Sequence, residues 1–227
     1  MLVEIYSDVV CPWCYIGKRR FEDALARFDG RDDVEVVWRP FQLDPHAPAT
    51  PTPVADAYAR KFGGPEQAAQ IIDKMTATAA AAGLEFHLDE AQRANTFEAH
   101  RLIDRAAADG RQSAMKERLL QAYFTEGPDI GDREVLVDLA GDVGLDSERI
   151  RAFLASDEGT AELREELVTG LERGVNAVPT FVFEGRWAVP GAQEADTMLR
   201  VLETVRERLA PAAEPAAAVC DDDSCAV

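Results

Sequence analysis

The spacing of apolar residues predicts a strand, a helix and a second strand at the amino terminus. Residues Leu2 to Tyr6 form a short apolar run typical of a strand. Apolar side chains then recur at close to helical spacing from Ile16 to Phe28, with Pro12 in the first turn and Gly30 as a candidate stop. The run from Val34 to Trp38 predicts a second strand, parallel to the first if the helix is a right-handed crossover.

The pattern changes in the middle of the chain and returns near its end. Prolines crowd residues 40–53, which predicts a loop, and residues 55–173 show helical periodicity interrupted by glycines, which predicts five to seven short helices. Residues 179–183 and 187–189 form a hairpin pattern, and residues 195–209 form a last amphipathic helix. Joined across the helical block, the outer pieces make one α/β domain.

The amino-acid composition argues against some classes of binding partner. Acidic residues outnumber basic ones 42 to 24, a formal net charge of −18. Nucleic acids and anionic membrane surfaces would repel such a chain, so we expect neither as a partner. The 47% share of hydrophobic residues is enough for a folded core.

The amino-terminal sequence favours a cytoplasmic location. It has neither the basic segment nor the long apolar segment of a signal peptide, and no run of 18 apolar residues occurs. Because cytoplasmic thiols are kept reduced, we expect the four cysteines to be catalytic, redox-active or metal-binding rather than structural disulfides.

Cys11 and Cys14 form a CxxC motif at a predicted strand-to-helix junction. Unpaired N–H groups and the helix dipole favour an anion there, so we expect a lowered pKa for the Cys11 thiol and its attack on a disulfide. Cys14, one turn further, would be buried and would resolve the mixed disulfide. The alternative is half of a zinc site, but the three histidines do not have ligand spacing, and we predict no metal.

Pro179 opens the predicted strand of the returning hairpin. A proline there is either an ordinary trans residue or a cis residue in a structured turn, and the residues alone do not decide between the two.

Four segments, in this order and spacing, resemble the DsbA family of thiol–disulfide oxidoreductases and its cytoplasmic FrnE-like branch. They are IYSDVVCPWCYIGKRRFE, WRPFQLDP, NTFEAHRL and GVNAVPTFVFEGRWAVPGAQ. The resemblance implies an α/β thioredoxin fold with an inserted all-helical domain. It implies a thioredoxin-like part at 1–50 and 175–209, a helical insertion at 51–174 and a flexible tail at 210–227.

The same resemblance implies roles for single residues. Cys11 would be the nucleophile, Cys14 the resolving thiol and Pro179 a cis proline beside them. Val178 would offer backbone hydrogen bonds to an extended substrate. Pro12 and Trp13 would also contact the substrate and tune the redox potential, although Trp13 could instead pack against the rim of the site.

A related branch, the kappa-class glutathione transferases and 2-hydroxychromene-2-carboxylate isomerases, is the enzymatic alternative. Members of that branch typically carry serine where this chain has Cys11. Asn95 and His100 match a recurring element of the branch, and a helix cap and a packed histidine are the alternatives to a catalytic role.

Cys220 and Cys225 bracket three aspartates in the tail. They could be inert, form an auxiliary redox pair that exchanges with the active site, or hold a metal ion with the aspartates; the carboxylates disfavour a thiolate.

The sequence thus predicts a cytoplasmic dithiol oxidoreductase, acting as a reductase or isomerase on disulfide-containing proteins or small thiols. It would need no bound cofactor, with glutathione as a candidate reductant, and would be a monomer or homodimer. A peptide-binding module without catalysis is the further alternative.

Overall fold

The computed structural model describes residues 1–48 and 50–210. In chain order the strands are β1 (Leu2–Ser7), β2 (Glu35–Pro40), β3 (Thr52–Pro53), β4 (Gln92–Arg93), β5 (Thr180–Phe183) and β6 (Trp187–Pro190). The α-helices are α1 (Pro12–Arg27), α2 (Val54–Phe62), α3 (Pro65–Ala81), α4 (Phe97–Ala107), α5 (Gln112–Gln121), α6 (Arg133–Asp142), α7 (Ser147–Ala155), α8 (Thr160–Glu172) and α9 (Ala195–Leu209). A π-helical turn covers Ala122–Glu126.

A four-stranded mixed sheet in the order β2-β1-β5-β6 organises the thioredoxin-like part. β1 is parallel to β2 and antiparallel to β5, so that Ile5 lies between Trp38 and Phe181. β5 and β6 form the antiparallel hairpin. The predicted β-α-β opening and the returning hairpin are both confirmed.

The two faces of this sheet have different coverings. Phe181 and Phe183 are fully buried on the face that holds α1 and α9, and the Phe21 ring of α1 lies 5.4 Å from the Phe181 ring. On the opposite face α8 packs against the Tyr6 side of the sheet, where a Cβ on Gly170 would come within 3.0 Å of the Tyr6 ring. The sheet therefore has a helix layer on each face, as expected for a thioredoxin fold.

Seven helices of the described chain, α2 to α8, lie between β2 and β5, within the predicted range. Their apolar faces form a core that continues into the sheet domain. Three aromatic rings in contact make the connection: the centroids of Phe86 and Phe124 lie 4.4 Å apart, and that of Tyr15 on α1 lies 5.9 Å from each. The helical insertion is thus packed directly on the helix that begins with the CxxC motif.

One predicted boundary is wrong. Helix α1 ends at Arg27, and Gly30 has φ −102°, so it is not a left-handed helix cap. Phe28 instead leaves the helix in an extended conformation and its ring is buried, with the Arg206 guanidinium 4.7 Å above it. Burial of this ring ends the helix at Arg27, three residues before the glycine.

Within residues 1–48 and 50–210, none of the helices is both long and apolar enough to cross a membrane. The tail with Cys220 and Cys225 lies outside the described residues, so the predictions made for it stay predictions.

Candidate active site

The CxxC motif sits at the amino-terminal end of α1. Cys11 is the N-cap residue with an extended backbone, and Pro12 occupies the first helical position. The Cys11 carbonyl accepts hydrogen bonds from the N–H groups of Cys14 (3.0 Å) and Tyr15 (3.3 Å). Both cysteines are free thiols and buried, whereas Trp13 between them is 42% exposed. Of the predicted substrate contacts, Pro12 is buried and Trp13 reaches solvent.

The Val178–Pro179 segment lies directly against the motif. The peptide bond between these two residues is cis, as the family resemblance implied. The Cys11 thiol lies 3.7 Å from the Val178 carbonyl oxygen. The Pro179 carbonyl accepts a hydrogen bond from Gly191 N–H at 2.7 Å. The structure therefore brings Pro179 next to Cys11 and Cys14, although more than 160 positions separate the proline from either cysteine in the sequence.

Gly17 makes this arrangement possible and was not singled out from the sequence. A Cβ at this position would lie 2.9 Å from Pro179 Cγ and 3.3 Å from Ala192 Cβ. The absence of a side chain on Gly17 lets the proline loop lie against α1 one turn after Cys14. A glycine inside an apolar helical pattern is a sequence signal for such a close approach.

In the reduced protein the buried Cys11 and Cys14 thiols are hydrogen-bonded to each other and titrate as a pair. A hydrogen bond with Cys14, burial, and the negative charges of Cys14 and Asp8 raise the pKa of the Cys11 thiol. Burial opposes ionisation of Cys14 as well, but the hydrogen bond from Cys11 and the positive charge of Lys116 lower its pKa. The pair therefore loses its first proton readily and its second with difficulty, and the helix amino terminus and Lys116 favour that single negative charge.

A buried polar cluster beneath the two thiols supplies these charges. Asp8 is fully buried and accepts hydrogen bonds from the N–H groups of Val9 and Leu43, both at 2.8 Å. His100 Nε2 lies 3.2 Å from the same carboxylate. Lys116 Nζ, on α5, donates to the Ser7 carbonyl at 3.4 Å. Burial lowers the pKa of Lys116 to about 8 and also lowers that of His100, which is therefore neutral at pH 7.

The family assignment rests on a match over most of the chain. A DSBA-like thioredoxin domain model covers residues 2–203. The chain belongs to the DSBA-like thioredoxin domain family. The "probable DsbA oxidoreductase" of Streptomyces coelicolor is 38% identical, with a TM-score of 0.88 over 100% of this chain and 99% of its own.

Two more distant structures with this fold belong to proteins of different named activities. The cytosolic disulfide reductase DsbM of Pseudomonas aeruginosa, solved with GSH, is 19% identical with a TM-score of 0.64, over 91% of this chain and 100% of its own. A 2-hydroxychromene-2-carboxylate isomerase has the same identity and TM-score, over 92% of this chain and 96% of its own. At this identity the likeness shows the shared fold and does not separate the two activities.

Asn95 and His100 have different surroundings within this family fold. The Asn95 carboxamide accepts from Phe97 N–H at 3.0 Å and donates to the Pro45 carbonyl at 3.1 Å, so it ties the proline-rich loop to the start of α4. The N-cap itself is Thr96. His100 is buried against Asp8, in the polar cluster and not on the surface.

Two tyrosines of the helical insertion also lie close enough to the thiols to interact with them electrostatically. The Tyr58 phenol of α2 has its pKa raised to about 12 by burial and by the negative charge that Cys11 can carry. The pKa of Tyr123 is raised by burial and, more weakly, by Tyr58, Asp8 and Cys11. Residues from both parts of the fold therefore set the electrostatics of the CxxC motif.

Asp8 and Lys116 are the site residues that sequence reasoning missed. Asp8 lies three positions before Cys11, where its charge could have been noticed. Lys116 follows Met115 on α5, and both side chains are buried. A single lysine on an apolar helix face does not indicate that it lies near Cys14, which comes 102 positions earlier in the sequence. In the described part of the chain, no three His, Cys, Asp or Glu side chains cluster closely enough to hold a metal ion.

Proposed function

We propose that this protein is a thiol–disulfide oxidoreductase that works through a mixed disulfide on Cys11. The observation that carries the proposal is the contact of the Cys11 thiol with the Val178 carbonyl, beside Pro179 and one turn before a second free thiol. A CxxC pair at a helix amino terminus is suited to dithiol–disulfide exchange. The 38% identity to the "probable DsbA oxidoreductase" supports the same chemistry.

The electrostatics of the pair support a specific order of steps. In the singly ionised reduced protein the two sulfurs share one proton through the hydrogen bond between Cys11 and Cys14. Transfer of that proton to Cys14 leaves a Cys11 thiolate, which attacks one sulfur of the substrate disulfide and releases the other as a thiolate. Cys14 then loses its proton, attacks Cys11 Sγ and releases the second substrate sulfur, which leaves a Cys11–Cys14 disulfide and a reduced substrate.

Lys116 is suited to assist the second attack. Its pKa of about 8 leaves part of the population neutral near pH 7, able to accept a proton from Cys14. Once protonated, it stabilises the Cys14 thiolate that attacks the mixed disulfide. Neutral His100 and the Asp8 carboxylate hold the buried polar cluster in position.

We also propose that the substrate binds as an extended strand beside the Val178–Pro179 segment. An extended peptide there would use backbone hydrogen bonds of Val178 and lie next to the exposed Trp13 ring. Disulfide-containing proteins and small disulfides are the proposed substrates, and glutathione the proposed reductant. We propose a reducing role in the cytoplasm, because the amino-terminal sequence predicts that location and cytoplasmic thiols are kept reduced.

Trapping of the intermediate tests the proposal. Cys14→Ser should accumulate a mixed disulfide with a substrate peptide, because the resolving thiol is gone; Cys11→Ser should form none. Mass spectrometry of the acid-quenched reaction would locate the linkage, with turnover measured by insulin disulfide reduction. A linkage on Cys14 in Cys11→Ser that turns over as fast as the parent would contradict the proposed order.

The same variants distinguish the two alternatives. A glutathione-dependent isomerase would keep activity on a small aromatic substrate in Cys11→Ser, since serine occupies that position in the related branch. A binding module would show equal peptide affinity in both variants and no insulin reduction by the parent protein.

A further inference from the structure

A groove of about 480 Å³ lies on the open half of the sheet, away from the two thiols. Its floor is the outer face of the β5–β6 hairpin, including Val182, Ala188 and Pro190, and its wall is the segment Arg173–Ala177 after α8. Val182 and Ala188 are register partners, so their side chains lie side by side on one face.

The fold leaves this face uncovered for a definite reason. Helix α8 lies over β1 and β2, where Gly170 approaches the Tyr6 ring, and ends before it reaches the hairpin. β6 is also the edge strand of the sheet, so one side of its backbone has no strand partner among residues 1–48 and 50–210. Ala188 and Pro190 are exposed. An open apolar face beside a free strand edge is a surface for strand addition.

The groove is basic at both ends in a protein of net charge −18. Arg173 lies at the end near the proline loop and Arg186 at the hairpin turn. Among the described residues no carboxylate forms an ion pair with Arg186, whose guanidinium lies 4.7 Å from the Trp187 ring. Arg173 has Glu4 at 3.5 Å and remains half-exposed. The groove therefore favours an acidic occupant.

The chain itself leaves the described fold on the other face of the same hairpin, the face that holds α9. Arg208, in the last turn of α9, has its guanidinium 5.9 Å from the same Trp187 ring. Residues 211–227 follow immediately, and they carry Glu214 and Asp221 to Asp223. Before the aspartates comes a run of small apolar residues, Ala216 to Val219. This segment has the charge and the side-chain size that the groove selects.

We propose that residues 211–227 of the same chain dock in this groove, with Ala216 to Val219 over Val182 and Ala188 and the carboxylates at Arg173 and Arg186. The lengths agree. An extended stretch from residue 211 to residue 220 spans roughly 30 Å, whereas the four residues of β6 span roughly 13 Å, which leaves enough chain to turn around the edge of the sheet. The docking does not depend on the proposed redox activity.

Paramagnetic relaxation in the full-length chain tests the placement. With Cys11, Cys14 and Cys225 replaced by serine, a nitroxide on Cys220 should broaden the backbone amide signals of residues 173–177 and 185–190 more than those of α6 and α7. The sample with the nitroxide reduced to its diamagnetic form is the reference. Equal broadening over the whole surface, or none in the groove, would overturn the proposal.

Charge reversal tests the recognition. Arg186→Glu should reduce the groove broadening at least several-fold, and replacement of Asp221, Asp222 and Asp223 by lysine in the same chain should restore it. Arg149→Glu is the matched control, since Arg149 is an exposed arginine on α7. If Arg186→Glu leaves the broadening of the groove signals unchanged, the charge of Arg186 does not contribute to recognition of the tail. Broadening of an isotope-labelled chain by a separately spin-labelled chain would show that the tail docks on a second copy instead.

Discussion

Lys116 is the residue whose replacement should change the thiol chemistry most without touching a cysteine. Lys116→Met keeps the length of the side chain and removes the charge that stabilises the Cys14 thiolate. We expect the pKa of Cys14 to rise and its thiolate fraction near neutral pH to fall by about tenfold for each unit of pKa. The ultraviolet thiolate absorbance, titrated against pH, measures this.

Lys74→Met is the control for that titration. Lys74 is an exposed lysine on α3, so its replacement changes the net charge by the same amount and leaves the buried cluster intact. If both variants shift the thiolate titration equally, the effect comes from net charge and not from the position of Lys116.

Gly17 is the residue whose replacement should test the packing of the proline loop. Alanine is the better helix former by about 1 kcal/mol, yet its methyl group would lie 2.9 Å from Pro179 Cγ. Because the proline ring cannot move aside freely, we expect Gly17→Ala to lower the free energy of unfolding by about 1–3 kcal/mol. Urea denaturation measures this, and an unchanged or higher stability would show that the loop moves away without cost.

At the scale of whole elements, one buried arginine ties helix α4 to α7 and to the connection between α7 and α8. Arg101 on α4 is 2% exposed and donates to the carbonyl groups of Phe153, Ser156 and Glu158. It also pairs with Glu98. These bonds fix the end of α7 and the start of α8 against α4, and α8 in turn packs against the sheet.

Removal of this arginine should therefore loosen the insertion. We expect Arg101→Met to lower the free energy of unfolding by about 3 kcal/mol, because buried carbonyl oxygens lose their donors. Arg101→Lys should recover only part of it, since lysine lacks the planar set of donors. Chemical denaturation would show the difference, with exposed Arg149→Met expected to change stability by less than about 0.5 kcal/mol. A loss for Arg101→Met no greater than that control would contradict this role.

At the scale of the whole molecule, one carboxyl group with a raised pKa makes stability depend on pH. Burial, and then the nearby Glu166 carboxylate, raise the pKa of Asp104 to about 7. A carboxyl group with a raised pKa in the folded state favours folding when protonated. Its ionisation therefore destabilises the fold progressively as pH rises from about 4, the pKa of an unfolded aspartate, to about 7.

Asp104→Asn should remove that penalty. We expect the variant to be more stable than the parent protein at pH 8, by on the order of 1–2 kcal/mol after discounting for partial exposure, and nearly equal to it at pH 4. Thermal unfolding at the two pH values measures the difference. A gain of the same size at pH 4 would assign the effect to packing and not to the carboxylate.

The order of elements could be predicted from the sequence because it depends on local patterns. Alternation and apolar runs predicted the β-α-β opening and the hairpin, glycine breaks predicted the helical block, and the CxxC spacing predicted two thiols one helical turn apart. The end of α1 was mispredicted because burial of the Phe28 ring, a tertiary contact, stopped the helix before Gly30.

What only the tertiary structure decided is the surroundings of the thiols. Cys11 could be predicted to sit at a helix amino terminus, where an anion is favoured, and that much is local. The ionisation of the thiol pair depends on Asp8, on the degree of burial and on Lys116, which comes from the inserted domain. Electrostatic energy depends on distance in space and on exclusion of water, and neither is written in the spacing of residues along a chain.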